Sequence, residues 1–336
     1  MTFIIAEIGV NHNNNLEYSK KLIDFCSSNN VNAVKFQTFR AEKLAQKSTP
    51  KVLYQKKNKN DKENHFDMLK KLELSKQDHF ILKKYCEKKN IEFISTPYDI
   101  ESAKFLISLK LKTIKVASAD LTDYFLHDFL SKTKKKIILS TGMSNLKNIK
   151  DTLSLYKNFH NNKISLLHCV SNYPCSNSSL NLNCIEILKK FGHDVGFSDH
   201  SKDHLSSSIA ISKGARIIEK HITLDNNLPG PDHKASLNLK DFKEFLNQIK
   251  KTNTMLGNFK KQIQEEEKEM LKISRKSPYY VGNFLKEKKI QKKDIIMLRP
   301  FTGFKFIDFK KIINKKLKKN VKKNQKISVK DFIKKR

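Results

Sequence analysis

The sequence has no apolar run approaching the roughly 18–20 residues that a membrane-spanning helix requires. Its first apolar run, FIIAEIGV, follows no basic leader and carries Glu7. A soluble, unprocessed, cytoplasmic protein is therefore expected, with no membrane partner. The five cysteines (26, 86, 169, 175 and 184) are odd in number and form no C-x-x-C pair. That pattern speaks against a disulfide framework or a zinc ribbon and fits a reducing compartment. Glycine is scarce, and the nine present cannot be arranged as G-x-G-x-x-G or G-x-x-x-x-G-K. Dehydrogenases of the doubly wound type and P-loop enzymes are thereby excluded. Arginine is scarcer still: five of the 67 basic residues are arginine, leaving 62 lysines.

Against 34 acidic residues, this basic excess amounts to a net charge of +33. Such a charge raises nucleic acid or an anionic membrane as a partner. The lysines, however, are spread along the whole chain and accompany an excess of Asn, Ile and Phe, the signature of an AT-rich coding bias. They read as a solvated basic surface rather than a nucleic-acid groove, and one that still draws anionic metabolites toward a cleft.

A chain of 336 residues with 38% hydrophobic content can bury a large core and suggests two domains, or one large α/β domain with an appendage. Eight β-rich runs recur: 3–10, 32–39, 91–96, 113–118, 136–141, 163–169, 193–198 and 215–222. Most are nearly continuous apolar segments, as parallel strands buried on both faces are, and helical spacing follows each. Eight βα units in about 250 residues predict a closed (β/α)8 TIM barrel. Residues 40–75 form the longest interruption and read as an active-site loop, with Tyr54 and Gln55, followed by a short helix. A helical pattern over 239–273 closes the barrel domain, set at 1–273. Short alternating segments (PYYVG, DIIML, QKISV) mark a small second domain at 274–336.

The polar residues are phased with the strands and gather at their C-terminal ends, where a barrel builds its site. Strand one ends with Glu7, Asn11 and His12; strand two carries Lys35 and Gln37; strand three ends at Thr96. Strand four offers Lys115, Ser118 and Asp120, strand five Ser140, and strand six His168, Ser171 and Tyr173. Ser198 and His200 follow on strand seven, with Glu219 and His221 on strand eight. A buried ammonium group needs an anion, so Lys35 and Lys115 describe a pocket for phosphate and carboxylate. A structural ion pair with Glu7 or Asp120 is the plainer alternative, and a Schiff-base lysine the aldolase alternative. His200 and His221 end consecutive strands and can converge on one cation, leaving positions open for water or substrate. His168, within LLHCV, reads as packed and hydrogen-bonded. The stiff turn LPGPDHKAS (228–236) would hold Asp232 over the barrel mouth.

In order along the chain, AEIGVNH, VKFQTF, FISTPYD, KVASADLT, ILSTGMS, LHCVSNYP, GFSDH, EKHIT and LPGPDHKAS resemble the sialic acid synthases. That family condenses phosphoenolpyruvate with N-acetylmannosamine or a related 2-acetamido sugar. SRKS (274–277) with LRPFTGF (298–304) resembles the family's C-terminal antifreeze-like, β-clip domain. The resemblance implies a divalent ion, Mn2+ or Mg2+, on His200 and His221. It implies phosphoenolpyruvate on Lys35, Thr96, Lys115, Ser118, Ser140, Ser171 and Ser198, with Gln37 and Asp120 as further substrate contacts. Glu7, Tyr173 and Asp232 would face the sugar, with Glu7, Lys115 and Asp232 the catalytic groups. Arg299 of the partner subunit would reach the N-acetyl group, which implies a domain-swapped homodimer. The product expected is N-acetylneuraminate, or legionaminate from a different 2-acetamido sugar. Two departures stand out: Asp120 where the family has glutamate, and Phe301 where it has glycine.

Overall fold

Eight parallel strands close on themselves in chain order in the computed structural model, which describes residues 2–52, 55, 63–157 and 163–333. They are β1 (Phe3–Gly9), β2 (Ala33–Thr38), β3 (Glu92–Pro97), β4 (Thr113–Val116), β5 (Lys136–Ser140), β6 (Ile164–Cys169), β7 (Asp194–Asp199) and β8 (Ile217–His221). β8 pairs back onto β1 with His221 opposite Glu7. At least one helix follows every strand, and the architecture is that of a (β/α)8 barrel. Short polar side chains start the helices. Asn15, Ser75, Asp99, Asp123, Asn145 and Asn238 each accept a first-turn backbone N–H that would otherwise lack a partner.

Two apolar layers follow from the two-residue period of the strands. One set of residues, among them Ile4, Ala6, Val34, Phe36, Ile114, Val116, Ile137 and Leu139, packs outward against the helices. The alternate set, Ile5, Ala33, Ile94, Ile138, Leu167 and Ile217, forms a separate cluster inside the barrel. Gly196 lies in that interior. A Cβ there would meet Ile217 O at 2.4 Å and Leu167 Cδ2 at 2.5 Å, so no larger residue fits.

The interruption after β2 holds two helices, Ala41–Leu44 and His65–Leu72. Tyr54, expected in that loop, lies outside the described residues. The long helical pattern expected over 239–273 is broken. Leu239–Leu256 ends at Gly257, whose φ of 56° leaves the helical region, and a second helix spans Glu267–Ser274.

The chain divides into two compact units, Met1–Gly257 and Asn258–Arg336. Residues 258–273, expected with the barrel, group with the second unit. Phe301 N–H donates to Lys272 O at 2.9 Å, which ties that stretch to the loop after Arg299. In the second unit β9 (Ser277–Tyr280) pairs antiparallel with β10 (Ile295–Leu298). Its core gathers Tyr280, Ile290, Ile312, Leu317, Val321, Ile327 and Phe332. QKISV, expected as a strand, contributes an isolated bridge between Lys326 and Tyr279. Asn314 and Asn324 adopt φ of 61° and 62°, a region asparagine tolerates. No helix among the described residues is long and apolar enough to cross a membrane.

Candidate active site

Two residues beyond the interior apolar layer, each strand presents its next inward side chain, and these build the site. Ile5 leads to Glu7, Ala33 to Lys35, Ile94 to Thr96 and Ile138 to Ser140. Leu167 leads to Cys169, Gly196 to Ser198 and Ile217 to Glu219, while Lys115 stands two residues beyond Thr113 on β4. The intervening residues face the helices. His168 stacks on Phe197 and donates from Nε2 to Leu180 O at 2.6 Å. Lys220 pairs with Asp199 at 3.0 Å, and Asp199 also accepts from the hydroxyls of Ser201, Ser206 and Ser207. That buried network lies directly behind the segment carrying His200.

Inside the rim, four ionisable groups share one buried cluster. Lys35 Nζ lies 3.1 Å from Glu7 Oε2 and 3.6 Å from Glu219 Oε2, and Lys115 Nζ lies 3.8 Å from Glu219 Oε1. Lys115 also donates to Ser140 Oγ at 2.6 Å, and Ser198 Oγ donates to Glu219 at 2.8 Å. Burial raises the carboxyl of Glu219, but Lys115 and Lys35 outweigh it and hold this group ionised. Glu7 goes the other way: burial, opposed by Lys35, pushes it up to about 7. Burial lowers Lys115, with Glu219 acting against it. Two ammonium groups meet two carboxylates here, and where Glu7 takes up a proton the cluster gains positive charge suited to an anion.

His200 and His221 stand beside this cluster, their ring centroids 5.6 Å apart, with the Tyr173 ring 4.0 Å from His200. Val170 O can only accept, so His200 Nδ1 donates to it at 2.8 Å, which turns Nε2 toward Ser198. Burial lowers His200, but the Cys169 thiol beside it raises it on balance, and that thiol is drawn down to about 7 against its own burial. Among the described residues His221 Nδ1 is buried without a hydrogen-bond partner, and burial with His200 nearby keeps this ring well below the ordinary histidine range. A neutral imidazole with an orphaned nitrogen, beside one whose other nitrogen is fixed by a carbonyl, fits a divalent cation. Among the described residues no third His, Cys, Asp or Glu completes a protein-only ligand set. A cation here would therefore draw its remaining ligands from water and substrate.

A cavity of about 660 Å³ opens over the rim. It is lined by Glu7, Lys35, Gln37, Lys115, Ser118, Ser140, Ser171, Tyr173, Ser198, His200, His221 and Asp232, which sequence reading had singled out. Burial pushes the Asp232 carboxyl up to about 6. Three expected residues are not among those that line the cavity. Thr96 sits behind Lys35, whose ammonium donates to its hydroxyl at 3.4 Å. Asp120, at the end of the turn Ser118–Asp120, does not line the cavity, and its carboxyl is raised to about 7 by burial and by Asp123. Arg299 follows β10 in the second unit. Sequence reading missed Cys169 and left out Glu219 as the hub of the ion cluster. Strand parity counted from Leu167 and Ile217 was the signal that finds both.

The family model described as the NeuB family matches residues 22–261. The chain belongs to the NeuB family. This is the sialic acid synthase family anticipated from the motif strings. Two curated relatives, from Legionella pneumophila and Campylobacter jejuni, are each named N,N'-diacetyllegionaminic acid synthase and are each 38% identical to this chain. The alignments cover 95% of this chain and 91% of the first relative, and 96% and 98% for the second. Among solved structures, an N-acetylneuraminic acid synthetase from Leptospira borgpetersenii superposes with a TM-score of 0.71 at 31% identity, over 80% of this chain and 90% of that one.

Proposed function

We propose that the chain condenses phosphoenolpyruvate with the open-chain aldehyde of an N-acetylated amino sugar and water, releasing phosphate and a nine-carbon 2-keto acid. The observation that carries this reading is the pair of buried ammonium groups, Lys35 and Lys115, clustered around Glu219 in the cavity that also holds His200 and His221. Anions of a small phosphorylated acid find their counter-charges there. Two 38%-identical relatives named for diacetyllegionaminic acid favour a sugar carrying two acetamido groups, hence a legionaminate-type product. The Leptospira structure, named for N-acetylneuraminic acid, supports N-acetylmannosamine as the second reading.

In this reaction C3 of phosphoenolpyruvate forms a bond to the aldehyde carbon, and the aldehyde oxygen becomes a hydroxyl by gaining a proton. Water adds at C2, and the resulting tetrahedral centre expels phosphate with cleavage of the C–O bond. Lys35 and Lys115, with the hydroxyls of Ser118, Ser140, Ser171 and Ser198, bind the phosphate and carboxylate. Glu7 and Asp232 lie in an ionisation range suited to moving a proton near neutrality, to the new hydroxyl or from the attacking water. His200 and His221 would hold a divalent ion, Mn2+ or Mg2+, which supplies Lewis-acid polarisation of the aldehyde oxygen. Arg299 of the partner subunit, contacting the N-acetyl group in a domain-swapped homodimer, belongs to the same proposal.

The test is phosphate release from phosphoenolpyruvate across a panel of acetamido hexoses, with products identified by mass spectrometry. Release with a diacetamido sugar, or with N-acetylmannosamine, supports the corresponding reading. No release with any acetamido sugar in the presence of Mn2+ or Mg2+ would sink both.

A further inference from the structure

The β7–β8 ladder ends with Asp199 opposite Lys220, so His200 stands one residue beyond it, whereas His221 still belongs to β8. Pairing between these two strands therefore does not by itself fix one histidine against the other. On the helix side of the barrel wall Asp199 and Lys220, 1% and 2% exposed, meet at 3.0 Å. The Asp199 carboxylate also accepts the Ser201 N–H at 2.9 Å and the hydroxyls of Ser201, Ser206 and Ser207, each at 2.7 Å. Lys220 Nζ donates in addition to Ser201 O at 2.5 Å and to Asp203 O at 3.4 Å. The chain leaving His200 is thus tied to the residue before it and to the neighbouring strand, while His200 O accepts the Cys175 N–H at 2.9 Å. On the other side of the wall, the residues flanking the pair are Ser198, His200, Glu219 and His221, and all four line the cavity.

We propose that Asp199 and Lys220 are positioning residues that set the spacing of His200 and His221 for a divalent cation. This rests on the metal reading proposed above. Neither residue lines the cavity, so the pair acts through the backbone it holds. A buried ion pair is a weak source of stability, because well-packed apolar residues of similar volume often serve as well or better. What this pair adds is geometry. A carboxylate that satisfies five donors at once, on two oxygens, has little freedom to shift, and its arrangement fixes the backbone on both sides of His200. A site with two histidines as its protein ligands depends on the groups behind them to keep those rings in place.

The test compares Mn2+ affinity with stability in the double variant Asp199→Asn/Lys220→Met, which removes both charges together and leaves neither unpaired. Binding of Mn2+ to the substrate-free protein is read from the electron paramagnetic resonance signal of free Mn2+, and stability from the denaturant midpoint of the metal-free protein. The midpoint should stay close to that of the wild type, while Mn2+ affinity should fall by about tenfold or more. Should the double variant not fold, Ser207→Ala carries the test. It takes one hydroxyl from Asp199 and should weaken Mn2+ binding by about threefold, the worth of one hydrogen bond. Unchanged Mn2+ affinity in the folded double variant, or in Ser207→Ala where the double variant does not fold, overturns the positioning role and leaves the metal site standing. An affinity that falls only in step with the midpoint makes the pair structural and overturns the role as well. A wild-type protein that binds no Mn2+ overturns the metal site, and this role with it.

Discussion

His200 and His221 face one another across the seam between β7 and β8, ring centroids 5.6 Å apart and planes inclined at 63°. The Lys220–Asp199 pair buried behind them joins the same two strands. The proposed metal dependence is tested at this pairing. Exhaustive chelation should abolish phosphate release, and Mn2+ or Mg2+ should restore it. His221→Ala should weaken metal binding by at least tenfold, read independently of activity as the loss of a metal-induced rise in Tm. Full turnover after chelation would contradict a cation at this site.

The anion pocket is tested at Lys115. Lys115→Met keeps the volume and removes the charge, while Lys35 remains 3.6 Å from Glu219 to hold that carboxylate. Turnover should fall by roughly two to three orders of magnitude, as when a single electrostatic group is removed from other active sites. Circular dichroism should show a retained fold, and near-normal kcat/KM would refute the assignment. Borohydride with pyruvate should trap no adduct on Lys35 or Lys115. A trapped adduct would move the chemistry to a Schiff base.

Proton transfer should appear in the pH profile. Burial raises Glu7 to about 7 and Asp232 to about 6, so whichever carboxylate accepts the proton must be ionised and the rate must fall as the pH drops below its value. We expect an acid limb of kcat/KM between about 6 and 7. Whichever of Glu7→Gln and Asp232→Asn removes that limb identifies the acceptor, and a profile flat down to pH 5 refutes both. Stability carries the matching sign. Because the folded state holds the Glu7 proton more tightly, the contribution of this group is present below pH 4.5 and is lost as the pH rises through about 7.

Packing makes a prediction of its own. In Gly196→Ala the new methyl would lie 2.4 Å from a backbone oxygen, and relief requires the strand itself to move. We expect a loss of about 1–3 kcal/mol, visible as a lowered denaturant midpoint. Gly142→Ala meets instead the hydroxyls of Ser171 at 2.4 Å and Ser118 at 2.8 Å, two of the groups proposed to bind phosphoenolpyruvate. Its larger effect should fall on KM for phosphoenolpyruvate. A Gly196→Ala protein as stable as the wild type would show that the barrel interior is looser than described.

The surface charge should act on rate. With +33 net charges drawing anions toward the cleft, kcat/KM for phosphoenolpyruvate should decline as ionic strength rises, with kcat nearly unchanged. Strong salt-dependent binding of duplex DNA would instead revive the nucleic-acid alternative.

Much was legible in the sequence because two periods are written into it. Runs such as FIIAEIGV and TIKVAS, each followed by helical spacing, established eight βα units, and strand ends carrying Lys35, Lys115, His200 and His221 marked one rim. Parity within the strands was also readable in principle: it sends Cys169 and Glu219 inward and His168 and Lys220 outward. It was overlooked where a polar residue drew attention by type rather than by phase. Only closure of the barrel could decide which charges meet. Glu219 stands 104 positions from Lys115 in the chain, yet it sits between two ammonium groups because β8 returns beside β1, leaving Asp120 outside the cavity lining. The reason is physical. Strand and helix periods are local properties of the chain, whereas burial, and with it the ionisation of Glu7, Glu219 and Asp232, is set by neighbours that only the closed ring brings near.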